Sequence, residues 1–358
     1  MNNNSFSIGN TQINKNSKTY FIADIAANHD GDLEKAKDLI YMAKEAGADA
    51  AKFQHFKAKT IVSDYGFKNL ASNLSHQKNW KKSVFEVYKD AEVPLKWTEI
   101  LHKTCQDAGI DFFTSPYDIN DIELIDKYVP AYKVGSGDIT YHEIIMKMAN
   151  YKKPLVIATG ASKIDEVVSI MEKVAPINKD VVLMQCNTNY TAKSENLKYI
   201  QLNVLKSYAL MFPNAILGLS DHTIGDTTVL GAIALGAKVI EKHFTDDNNR
   251  EGPDHKFSMN PKSWKDMVTR SRELELSLGG SIKKIENNEK ETSVLQRRCL
   301  RTKTDLQIGD VIREDMIEIL RPAPESSIPP FKISEIIGKK INQNISKGAE
   351  FKWSNIDD

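Results

Sequence analysis

The stretch GLSDHT, residues 218–223, ends an apolar run at Ala215–Leu217 with Ser220, Asp221 and His222. A second apolar run, Val239 and Ile240, ends with Glu241, Lys242 and His243. If both runs are strands, two imidazoles arrive on adjacent tips. Such a pair can share one divalent metal and leave positions open for water or substrate. Further short apolar runs end in polar residues: Asp24; Lys52 and Gln54; Thr114 and Ser115; Lys133, Ser136 and Asp138; Thr159; Thr188 and Tyr190. Lysines with hydroxyls suit a phosphate, and charge buried without a counterpart is costly, so a common mouth holding these groups needs an occupant. Taken singly, each has a plainer explanation: a lysine paired with a carboxylate, a hydrogen-bonded histidine, or Ser220-Asp221 or Asp226 capping the next helix. Gathered on one rim, those separate explanations weaken together.

Elements of a particular kind are required to bring such tips together. AGADAAKF (46–53), AGIDFFTSP (108–116) and LGAKVIEKHF (235–244) each place Gly after a helical stretch and before a short apolar strand. Gly is the expected terminator there, because it enters the left-handed region without a Cβ clash. Before the first copy, Asp32 can cap a helix whose apolar stripe is Leu33, Ala36, Leu39, Ile40 and Ala43, with Gly47 ending it. Tyr20–Ala23, Ala131–Val134, Leu155–Ala158, Val181–Met184 and Ala215–Leu217 complete eight strand candidates, most separated by helix-length segments. Near-continuous apolar strands alternating with helices imply a parallel sheet covered on both faces. Eight units over about 250 residues suit a (β/α)8 TIM barrel, whose chemistry lies at the C-terminal strand ends. No G-x-G-x-x-G follows the first strand, which removes the main dinucleotide signal.

The chain of 358 residues carries 48 basic and 48 acidic side chains, which argues against nucleic acid or an acidic membrane as the main partner. Cys105, Cys186 and Cys299 are too far apart for a C-x-x-C metal site or a disulfide framework, so a reducing, cytoplasmic setting is expected. The start, MNNNSFSIGNTQINKNSK, lacks the apolar core of a signal peptide, and no run approaches a membrane helix. The expected organisation is a barrel over 1–285, a polar linker over 286–298 and a small strand-rich domain over 299–358, with turns at Gly309, Gly338 and Gly348. So short a piece is marginal alone and should lean on the barrel or on a partner chain. Asp254, in the polar loop EGPDHKFS (251–258), is either a substrate ligand or a turn residue; Arg321 reads as a surface strand end and Arg297-Arg298 as solvated.

These residues resemble the sialic acid synthase family, meaning N-acetylneuraminate synthases and their pseudaminate and legionaminate relatives. IADIAANHDGDLEKAKDLI, GADAAKFQ, PAYKVGSGD, VIATG, GLSDHT, VIEKHFT and GPDHKFSM follow one another in the family's order, and RPAPESSIPP…IIGKK resembles its antifreeze-protein-like (SAF) C-terminal domain. The resemblance implies condensation of phosphoenolpyruvate with an N-acylated mannosamine-type sugar, giving a nine-carbon 3-deoxy-2-keto acid and phosphate. It implies Mn2+ or Mg2+ on His222 and His243, and phosphoenolpyruvate held by Ser115, Lys133, Ser136, Thr188 and Ser220. Asp24, Lys52, Asp138 and Tyr190 then match catalytic positions. Gln54, Asn79 and Asp254 match sugar-facing ones, and Arg321 an arginine that reaches the N-acyl group from the partner subunit of a domain-swapped homodimer.

The sequence departs from the family pattern at Asp24 and Asp138, where Glu is usual, and at Ala158, where a phosphate-contacting Ser is usual. Each shortened carboxylate displaces a proton-transfer group by roughly an ångström unless the surroundings compensate. Two other readings stay open: a related phosphoenolpyruvate-dependent synthase acting on a different aldose, and a catalytically silent sugar-binding barrel.

Overall fold

The computed structural model describes residues 4–70 and 80–357, which divide at Gly279/Gly280 into two compact units. In the first, an antiparallel hairpin, β1 (Ser5–Ile8) and β2 (Thr11–Asn14), precedes eight parallel strands. These are β3 (Tyr20–Asp24), β4 (Ala50–His55), β5 (Asp111–Pro116), β6 (Tyr132–Val134), β7 (Leu155–Ala158), β8 (Val181–Cys186), β9 (Ile216–Asp221) and β10 (Val239–His243). Their order is β5-β4-β3-β10-β9-β8-β7-β6, and β5 lies beside β6, so the sheet curls into a nearly closed TIM-type barrel. The eight expected strands are all present.

The helix expected before the first Gly runs Leu33–Glu45. Asp32 accepts from the backbone N–H groups of Glu34 and Lys35, and Ala36, Leu39, Ile40 and Ala43 are buried against the strands. Gly47, at φ +94°, turns the chain into β4. Two apolar layers result. One lies between strands and helices; the other fills the barrel with Tyr20, Ile22, Phe113, Val156, Ala158, Met184 and Val239. The hairpin was not expected from the sequence: Phe6, Ile8 and Ile13 join the inner layer next to Tyr20, whose phenol donates to Asp111 Oδ2 at 2.6 Å.

Register decides which tips become neighbours. Asp24 pairs with Lys52 on one side and His243 on the other, Glu241 with Ser220, Ser220 with Cys186, and Gln54 with Ser115. Paired residues in parallel strands project to the same face, so these side chains meet inside one mouth.

In the second unit, β11 (Cys299–Thr302) and β12 (Ile317–Leu320) pair antiparallel around a core of Leu300, Leu306, Ile312, Ile328, Ile341 and Phe351. Gly309, Gly338 and Gly348 all take positive φ. Within the segment read as a polar linker, Lys290–Leu295 is helical.

Candidate active site

At the centre of the mouth is a buried four-member charge cluster. Asp24 Oδ2 accepts from Lys52 Nζ at 2.6 Å and from the Gln54 amide at 3.1 Å. Glu241 Oε1 lies 3.2 Å from Lys133 Nζ and 3.7 Å from Lys52 Nζ, and accepts from Ser220 Oγ at 3.2 Å. No member is more than 4% exposed. Burial works against the Glu241 charge, yet Lys133 and Lys52 outweigh it and hold the carboxyl down at about 2. Burial pushes the Asp24 carboxyl up; Lys52 opposes this and Glu241 adds to it. The Lys52 ammonium, disfavoured by burial, is held above its ordinary value by Asp24 and Glu241.

The imidazoles of His222 and His243 lie side by side, with ring centroids 5.3 Å apart. Tyr190 stands edge-on to His222 at 4.5 Å, and Phe257 packs edge-on to His243 at 4.9 Å. His222 Nδ1 donates to the Asn187 carbonyl at 3.0 Å, which leaves the Nε2 lone pair bare in the neutral ring. His243 is flanked by carboxylates, with Nε2 3.6 Å from Asp24 Oδ2 and Nδ1 3.7 Å from Asp254 Oδ2. Burial lowers both imidazoles: His222 falls to about 3, helped by His243, and His243 to about 4 against the pull of Asp254. Both rings are therefore neutral donors at pH 7. Among the described residues no group of three or more His, Cys, Asp and Glu side chains gathers as a metal site, so any ion here would complete its shell with other oxygens.

Beside the lysines, Ser136, Gly160, Cys186 and Thr188 form a close cradle. Gly160 N–H donates to Ser136 Oγ at 2.9 Å. A Cβ on Gly160 would stand 2.6 Å from Thr188 Cγ2, 2.9 Å from Ser136 Oγ and 3.0 Å from Cys186 Sγ. Burial raises the Cys186 thiol to about 11, so it is a neutral wall and not a nucleophile. Asp138, in the turn after β6, is pushed up by burial to about 6.

Ser115 Oγ, Glu241 Oε2 and His243 Nδ1 are all buried without a hydrogen-bond partner. Native interiors rarely leave such atoms unmatched, and three in one mouth call for a polar ligand.

Of the residues expected to act together, Asp24, Lys52, Gln54, Lys133, Ser220, His222, His243, Tyr190 and Asp254 are joined by the contacts above, with Glu241 between the two lysines. Ser136 and Thr188 meet at the cradle, and Ser115 is paired with Gln54 in register. Asp254 also accepts from the Ala27 N–H at 3.3 Å, tying its loop to the end of β3. Asn79 lies outside the described residues. Arg321 belongs to the second unit, just after β12, with its side chain exposed. Ala158, where the family pattern has Ser, is packed in the apolar inner layer. Glu241, Cys186, Asn187, Gly160 and Phe257 carried no role in the sequence reading. For Glu241 the signal was present: it stands two residues before His243 on one strand, hence on the same face. Asn187 acts through its backbone carbonyl, which leaves no trace in residue type, and the glycine that ends VIATG shows its need for a missing Cβ only once Thr188, Ser136 and Cys186 are packed around it.

The NeuB family matches residues 39–283 and the SAF domain matches residues 297–357. An N,N'-diacetyllegionaminic acid synthase of Legionella pneumophila is 35% identical over 347 residues, 94% of each chain. A pseudaminic acid synthase of Campylobacter jejuni is 32% identical over 352 residues, 97% of this chain and 98% of its own. The crystal structure of the Bacillus subtilis spore coat polysaccharide biosynthesis protein SpsE superposes with a TM-score of 0.64 at 29% identity, covering 98% of this chain and 99% of that one.

Proposed function

The chain belongs to the NeuB family, and on that premise we propose that it is a sialic-type acid synthase joining phosphoenolpyruvate to an N-acylated mannosamine-type sugar. The observation that carries the reading is the meeting of two buried lysines, two neutral imidazoles and three unmatched polar atoms in one mouth.

In this reaction the enol C3 bonds to the sugar's aldehyde carbon, one water adds at C2, and phosphate leaves; the product is a nine-carbon 3-deoxy-2-keto acid. Lys133 and Lys52, with the hydroxyls of Ser115, Ser136, Thr188 and Ser220, hold the carboxylate and phosphate and favour the charge that grows as phosphate departs. Gln54 and Asp254 face the sugar, and Tyr190 walls the imidazoles; the family resemblance adds Asn79 to the sugar-binding residues. Asp24 orients Lys52 and His243 at once; its short arm suffices because Lys52 comes to it at 2.6 Å. Asp138, with a carboxyl near 6, can take and return a proton close to neutral pH.

The residues fit a divalent ion, Mn2+ or Mg2+. His222 has its Nδ1 committed to a carbonyl and its Nε2 bare, and His243 Nδ1 is buried and unpartnered. When bound, the ion supplies polarisation of the aldehyde oxygen. Arg321, from the second unit of a partner chain, reaches the sugar's N-acyl group, which makes the working form a homodimer. The setting is a reducing cytoplasm; the three cysteines are free, and no helix among the described residues is long and apolar enough to cross a membrane.

Inorganic phosphate should appear only when phosphoenolpyruvate, a divalent metal and an acylated hexosamine are present together, and mass spectrometry over a panel of mannosamine derivatives identifies the sugar. No release across a broad panel overturns the activity. His222→Ala should stay folded and lose metal-dependent turnover; full turnover would make that imidazole structural.

A further inference from the structure

Behind the two imidazoles, on the helix-facing side of the strands, lies a second buried ion pair with no place in the chemistry above. Alternation along β9 and β10 turns Asp221 and Lys242 away from the mouth, while Ser220, Glu241 and the histidines turn into it. Asp221 and Lys242 are partners in register, and neither side chain is more than 1% exposed. Lys242 Nζ donates to Asp221 Oδ2 and, at 2.7 Å, to the Thr223 carbonyl. Asp221 Oδ2 also accepts from Thr223 Oγ1 at 2.9 Å and Thr228 Oγ1 at 2.8 Å, and Asp221 Oδ1 accepts from the Thr223 N–H at 3.2 Å.

One ammonium, on the residue just before His243, thus grips the residue before His222 and the residue after it. Stability does not account for the arrangement. A buried ion pair is commonly matched or bettered by apolar residues of the same volume. Nor is it a helix cap: Asp226 occupies that position for helix Thr227–Ala234, and Asp221 binds a side-chain hydroxyl there, not a backbone N–H.

We infer that Asp221 and Lys242 are positioning residues for the imidazole pair, locking β9 against β10 so that His222 and His243 present their free nitrogens to one ion. The inference rests on the metal reading above. Groups that hydrogen-bond metal-binding histidines are worth about 10–100-fold in metal affinity, although they touch no metal; Asp221 and Lys242 act one step further back, through the strand backbone that carries the rings.

The experiment compares the full-length protein with Asp221→Leu/Lys242→Met, which replaces the ion pair with an apolar one, and with Thr228→Val, which removes one donor to Asp221 at constant charge and shape. Mn2+ binding is followed by electron paramagnetic resonance, folding by thermal melting, and the tautomer of His222 by 15N signals of labelled imidazoles. The double variant should melt near wild type yet bind Mn2+ about 10-fold more weakly, the low end of that range, with His222 no longer a single Nδ1–H tautomer. Thr228→Val should change both readouts in the same direction by less, and it decides the matter if the double variant fails to fold. Unchanged Mn2+ affinity and an unchanged tautomer would overturn the inference. If wild type binds no Mn2+, the metal reading fails, and the imidazole signals alone decide whether the pair positions His222.

Discussion

Glu241→Gln isolates the electrostatics of the mouth. The amide keeps the size of the carboxylate and can still accept from Ser220 and Lys133, so the change is one of charge. Lys52 retains Asp24 at 2.6 Å, but Lys133 has Glu241 as its ion-pair partner at 3.2 Å. Stranding one member of a buried pair costs about 3–5 kcal/mol. At about 2–3 °C per kcal/mol for a unit of this size, the variant should melt roughly 6–15 °C below wild type. The stranded ammonium is also a better anion site, because an incoming phosphate no longer competes with a resident carboxylate. Phosphoenolpyruvate without sugar should therefore raise the melting temperature of the variant more than that of wild type. A tenfold gain in affinity would add about 1.4 kcal/mol at saturating ligand. Scanning calorimetry with and without phosphoenolpyruvate reads both effects. A variant that melts with wild type, or whose ligand-induced rise is no larger, would refute the view that Glu241 holds the lysines for an anion.

Gly160→Ala should fold but raise the KM for phosphoenolpyruvate by about 10–100-fold, since its Cβ would stand 2.6 Å from Thr188 and 2.9 Å from Ser136 and overpacking costs about 1–3 kcal/mol; steady-state kinetics with wild-type KM would contradict the cradle. For Asp138 the folded carboxyl is raised to about 6 by burial, so its contribution to stability is intact below the ordinary value of 3.8 and lost as pH rises through 6. Asp138→Asn should accordingly gain on wild type in melting temperature between pH 4 and 7, and parallel profiles would show that the carboxyl is not so buried. Arg321→Ala should raise the KM of the sugar more than that of phosphoenolpyruvate, and a sedimentation run showing an active monomer would exclude a partner-supplied arginine.

What could be read along the chain was whatever depends on near neighbours. Asp32, the stripe from Ala36 to Ala43 and Gly47 define their helix without reference to anything distant, because capping, amphipathic spacing and left-handed turns are local preferences. The eight apolar strands, and the polar residues at their tips, were legible for the same reason. The hairpin Ser5–Asn14 was missed although Phe6, Ile8 and Ile13 fall on one face, since a strand pair that short acquires its burial only from the barrel end it covers. Alternation would equally have assigned Glu241 to the face of His243. A closed barrel was expected from the count of alternating units, but its register was out of reach. That Asp24 lies between Lys52 and His243, that Glu241 answers to Lys133, and that Lys242 reaches both sides of His222 depends on which strand lies beside which. The sheet returns β10 to β3 across almost the whole first unit. The types of groups available for chemistry, and the meeting of the two imidazoles, are written in the chain, but the pairing of Lys133 with Glu241 and of Asp24 with His243 arises only when strands far apart in sequence are laid side by side.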